Sequence, residues 1–250
     1  MKFIKRIQED WQKVKDMPTK EKWEFFWDYY KIQALCVVLV IVLIVQGIAT
    51  VSNQKEIVFS GFCLNCKISI KEDAFWNGFY GAAGIDSKVQ TVACYSDLQI
   101  MPGQTQLNNN TVQRIIAGCA VQDADFITGD PYAFQVCAYT SQQLFADLRE
   151  VLDEKILEKY AGKIYYMDQT IIDILNSPLG EQVEPDVLEY PKDPKDPTSM
   201  KKPIPVGIDV SDREDLQKAY YLDGTTIYVG AVRSTARPQL TKQFLEYLLK

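Results

Sequence analysis

Apolar positions follow three patterns along the chain. In residues 1–31 they recur every three or four places. Ile4, Ile7, Trp11 and Val14 share one face, which predicts an amphipathic helix. Pro18 ends it, and Thr19 can cap a second helix. That second helix carries six aromatics in the eight positions 23–30, with Trp23, Phe26, Trp27 and Tyr30 on one side. From Ile32 to Gln54 no charged residue occurs at all. These residues, at ~1.5 Å each, span ~34 Å, enough to cross a ~30 Å hydrocarbon layer, so 32–54 reads as a transmembrane helix. Rings at its border suit the headgroup level, which makes 23–30 an interfacial belt; a partner-binding helix is the alternative reading.

From residue 55 onward the pattern alternates between period two and period 3.6. Strands are expected at 56–62, 88–95, 124–128, 163–167, 204–208 and 226–232. Helices are expected at 71–84, with Phe75, Trp76, Phe79, Tyr80 and Ala83 on one side, and at 111–120, with Val112, Ile115, Ile116 and Cys119 inward. Others are expected at 131–139, through 144–160, and at 238–249, burying Leu240, Phe244 and Leu248. This alternation implies an α/β layered domain on a largely parallel sheet. Residues 177–205 break the rhythm. They hold seven of the 11 prolines, and Pro191–Pro197 contains no apolar residue besides proline. An exposed excursion, poorly tied to the core, is expected there. The competing reading is a packed roof over the strand ends, touching through Tyr190 and Met200. The domains are thus 1–31, 32–54 and 55–250.

Charge adds orientation. Residues 1–31 hold eight Lys/Arg against six Asp/Glu, leaving 19 against 27 in the remainder. Basic flanks stay in the cytoplasm, so the N-terminus is expected inside and the α/β domain outside the cell. The net charge of −6 argues against nucleic acid as a partner. The chain has no histidine, which removes imidazole bases and histidine metal sites.

Some local motifs resemble a known family. The run 115–130, a helix then Ala117-Gly118 and the strand Ala124-Asp125-Phe126-Ile127, resembles bacterial extracellular solute-binding proteins. So do Leu144-Phe145-Ala146-Asp147-Leu148 and the closing strand and helix at 226–249. Gly61-Phe62-Cys63-Leu64-Asn65 and Pro205-Val206-Gly207-Ile208-Asp209 are similar to segments of clostridial single-span membrane proteins of unknown function. The resemblance implies one lobe of a periplasmic-binding-protein fold. The chain departs from that family in length: a full receptor has two lobes, and here the second is missing or reduced to 152–205.

Candidate chemistry is sparse. Cys63-Leu64-Asn65-Cys66 invites a redox reading, because a Cys-x-x-Cys opening a helix gains a low thiol pKa. The resemblance instead puts buried strand residues at Cys63 and Cys66, and a structural disulfide is a third possibility. The five outer cysteines are odd in number, leaving at least one unpaired. Asp123, Asp125 and Asp130 fail a calcium-loop test, since Ile127 and Phe134 stand where oxygen ligands belong. Asp130 follows a strand and precedes Pro131. It is a helix cap and, with Tyr132, the candidate for ligand binding, because ligands of open α/β sheets sit at strand C-termini. No glycine-rich phosphate loop or nucleophile elbow occurs. The expectation is a non-enzymatic, membrane-anchored binding or interaction module without metal or cofactor. Its partners would be the lipid bilayer and a small-molecule or protein ligand outside the cell. The alternatives are a thiol-disulfide oxidoreductase using Cys63 and Cys66, and a structural envelope component.

Overall fold

The structure, a computed structural model, describes residues 18–52, 54–67, 73–102, 110–178, 188–222 and 224–250. The helix expected over 4–14 lies outside them. The chain divides after Gln54 into two units. The first is carried by helix α1, Thr19–Ser52, one unbroken helix. Its window Tyr30–Gly47 is long and apolar enough to cross a membrane, and none of it is buried. The aromatic segment continues the same helix. Trp23 meets Phe26 edge-on with ring centres 6.2 Å apart, and Phe26 stacks on Tyr30.

The second unit is a six-stranded mixed sheet in the order β2-β1-β3-β6-β5-β4 with helices on both faces. Its elements in chain order are β1 Glu56–Leu64, α2 Asp73–Ala83, β2 Gln90–Leu98, α3 Asn110–Ala120, β3 Phe126–Gly129 and α4 Pro131–Ala138. There follow α5 Leu148–Val151, α6 Glu154–Lys159, β4 Ile164–Asp168 and α7 Gln169–Leu175. Then come β5 Pro203–Asp209, α8 Glu214–Tyr220, β6 Tyr228–Ala231 and α9 Pro238–Leu248. Alternation along the strands feeds two cores. Phe59, Phe126, Phe75, Phe79 and Phe244 pack on the face under α2 and α9. Phe62, Ile115, Phe134, Phe145 and Tyr165 pack on the opposite face under α3 and α4. Gly61 of β1 lies beneath the Phe126 ring, where an added Cβ would come within 2.4 Å of a ring carbon.

Only part of the sheet is parallel, which corrects the expectation. β2, β1 and β3 run parallel. β6 is antiparallel to β3, β5 to β6, and β4 to β5. After α7 the chain returns to the C-terminal end of β4, where Asp168 pairs with Pro203 and accepts from the Lys201 and Lys202 amides, so β5 starts there and runs antiparallel. The helix expected through 144–160 is also corrected. Phe145 bridges Val232, Asp147 caps α5 through the Arg149 amide, and Asp153 precedes a separate α6. Aspartates favour such starts over helix interiors.

The proline-rich excursion is the third correction. Residues 179–187 lie outside the described ones, and the remainder is tied down. The Tyr190 ring sits 4.9 Å from that of Tyr139, and Met200 is buried. The Tyr166 amide, on the open edge of β4, donates to the Pro194 carbonyl at 2.7 Å. Asp168, buried at the end of β4, accepts from the amides of Lys201 and Lys202 at 2.8 and 3.1 Å. The segment is a strap along the β4 edge, and Pro203 and Pro205 belong to β5 itself. Pro205 stands at the register shift opposite Tyr166, a place where a missing N–H is tolerated.

Candidate functional site

The C-terminal ends of β1 and β3 adjoin, and the helices that follow them, α2 and α4, pack on opposite faces of the sheet. That arrangement is a topological switch point, where open α/β sheets leave a crevice. One residue ties it together. Asn65, immediately after β1, adopts a left-handed conformation at φ 53°, which asparagine tolerates better than most residues. Its amide N–H donates to the Leu98 carbonyl at 3.0 Å. Its side-chain nitrogen donates to the Ile100 carbonyl and to Asp130 Oδ2, both at 2.9 Å, while its oxygen accepts from the Ile100 amide at 2.7 Å. One side chain thereby joins the ends of β1, β2 and β3.

Asp130 is the helix cap expected of it. Its backbone is extended, Pro131 opens α4, and Oδ1 accepts from the Ala133 amide at 2.8 Å. Oδ2 takes the Asn65 bond. The carboxylate is half-buried, capped on one side and latched on the other. Tyr132, in the first turn of α4, is half-buried against the α3–α4 core. The same sheet end carries a charged pair. Gly129 lies opposite Tyr228, and Tyr228 opposite Asp209. Asp209 accepts from Lys195 of the strap and from Ser211. Burial pushes the Asp209 carboxyl up, but the bonds from Lys195 and Ser211 outweigh it and hold the group below its usual value.

Cys63 is disulfide-bonded to Cys94, joining β1 to β2. β1 and β2 lie side by side and bring the Cα atoms of Cys63 and Cys94 to 6.3 Å, so Cys63 is bonded to Cys94 and not to Cys66. Cys66 is a buried thiol that donates to the carbonyls of Cys63 and Ser96 at 3.2 and 3.3 Å. Burial pushes its pKa up to about 11, with its own backbone lowering it and the Asp97 charge raising it. It is a thiol, not a thiolate, at neutral pH. Cys119 and Cys137 are buried and unpaired, and burial pushes Cys119 up to about 12.

The other aspartates of the 123–130 stretch hold the fold together at the opposite end of β3. Asp125, fully buried, accepts from the Ser60 amide at 2.8 Å, from Thr235 at 2.6 Å and from Arg237 at 2.8 Å. Among the described residues no cluster of three potential metal ligands occurs. Asn65 is the site residue that sequence reasoning passed over. Its only signal was an asparagine directly after a strand. Comparison with protein-family models, curated proteins and solved structures found no match.

Proposed function

We propose that the chain is a membrane-anchored, extracytoplasmic binding module, non-enzymatic and akin to one lobe of a solute-binding protein. The observation that carries the binding reading is the Asn65–Asp130 junction at the switch point, with Tyr132 beside it. Here a carboxylate and a phenol sit at the strand ends where open α/β sheets bind their ligands. The exposed apolar window of α1 supports the anchor, and the basic excess of residues 1–31 supports a cytoplasmic N-terminus. The Cys63–Cys94 disulfide supports an oxidising, extracytoplasmic location, since such bonds persist there and are rare in the cytosol. The protonated, buried Cys66 weighs against the oxidoreductase alternative.

The test is a thermal-shift screen of the full chain in detergent against sugars, amino acids and short peptides. A solute at 100-fold its Kd raises stability by ~2.7 kcal/mol. Tyr132→Ala, which leaves the Asp130 cap intact, removes that shift if the solute sits at the switch point. A screen without any stabilising solute, or a shift untouched by Tyr132→Ala, overturns this assignment.

A further inference from the structure

On the other face of the sheet, α5 and α6 stand off from β4 and β5 and leave an open groove of about 620 Å³. That volume falls in the range of small-ligand sites, roughly 300–1,000 Å³. The floor is apolar: Ile164, Pro205 and the half-buried Tyr166 ring, with Leu157 on the wall. No hydrogen bond reaches the Tyr166 hydroxyl among the described residues.

The rim is charged in one sense. Arg149 lies at one side, but both oxygens of Asp147 clasp its guanidinium, so its charge is already neutralised. Glu154 and Glu158 line the other side, one turn apart on α6. Among the described residues neither has an ion-pair or hydrogen-bond partner. Nearby cations are engaged elsewhere: Lys159 lies over the Tyr160 ring at 4.8 Å, and Lys163 pairs with Asp212 at 2.6 Å. Lys155 is exposed and does not line the groove. Both carboxylates are exposed and stand beside the apolar floor.

We propose that this groove binds a basic peptide segment, in which a lysine or arginine lays its aliphatic stem on Ile164 and Pro205 and its head between Glu154, Glu158 and the face of Tyr166. Long basic side chains combine an apolar stem with a charged tip, and cations are held over tyrosine faces. The acidic excess of residues 32–250 steers such a partner inward. The groove and the switch point lie on different elements, so each stands or falls separately.

The test uses the full chain in nonionic detergent at physiological salt, with a fluorescent Lys-Leu-Lys-Leu-Lys peptide followed by anisotropy. Saturable binding is expected. The double variant Glu154→Gln/Glu158→Gln should weaken it at least tenfold while melting like the parent. Glu56→Gln/Glu189→Gln, outside the groove and equal in charge change, should leave it within twofold. A Glu-Leu-Glu-Leu-Glu peptide should not bind. Equal weakening by both double variants, binding unchanged in the groove variant, or no saturable binding overturns the proposal.

Discussion

Cys63 and Cys66 differ by three positions in sequence and completely in chemistry. Cys63 is bonded across two strands, and Cys66 keeps its proton because burial raises the energy of its thiolate. Alkylation of the native chain at pH 8 should leave Cys66 unmodified, whereas the unfolded chain should label there. Replacing Cys94 by Ala removes a cross-link spanning 31 residues. The chain-entropy estimate for that loop is ~3–4 kcal/mol. Denaturant melts of Cys94→Ala and of the parent should differ by about that amount in oxidised protein and converge in dithiothreitol. A gap that persists in dithiothreitol would mean the side chain's packing matters more than the bond. Asp125→Ala leaves Arg237 without its buried partner. The loss should fall near the low end of ~3–5 kcal/mol, because the Arg237 side chain is 30% exposed. Gly61→Ala forces the Phe126 ring to move and should cost ~1–3 kcal/mol in the same melts.

Among the elements, the strap on β4 shows most clearly what sequence could and could not disclose. The strands at β1, β3 and β5 and the helices α2, α3 and α9 were readable because one period persists through each of them. Their partners were not. Strand direction depended on where the chain returns beside Asp168, and the Cys63 bond depended on β1 and β2 lying side by side. The strap looked loose because Pro191–Pro197 offers nothing apolar, yet it is fixed by backbone groups that composition does not reveal. Asp130 was legible from its place between a strand and Pro131. Asn65 was not, because its role rests on three strand ends meeting. Asp168 makes the strap's attachment pH-dependent. Burial opposes its ionisation, but bonds from Thr170 and from the Lys201 and Lys202 amides outweigh this and depress its pKa. A depressed carboxyl contributes stability that is complete above its unfolded pKa of ~3.9 and is lost as pH falls below it. Hydrogen exchange at Lys201 and Lys202 should therefore be slow at pH 6. Relative to the intrinsic rate it should accelerate at pH 3, and Asp168→Asn should already show that acceleration at pH 6. Fast exchange at pH 6 in the parent would return the segment to the loose loop read from its composition.

For the whole molecule, the governing question is which unit faces which compartment. Protease added to intact cells should digest residues 55–250 and spare Lys13 and Lys15. Cleavage at those lysines from outside would reverse the orientation read from the basic excess. The junction between the units has a mechanical consequence. Only three residues separate the end of α1 from the start of β1. Any pull transmitted along α1 enters the sheet at the N-terminus of β1, a strand flanked on both sides by parallel neighbours. A force directed along β1 would shear its ladder with β2 from Glu56 onward and its ladder with β3 from Gly61 to Cys63. The Cys63–Cys94 bond adds a covalent stop on one of those ladders, seven residues into β1. The domain is thus tethered through a strand that the sheet holds on both sides.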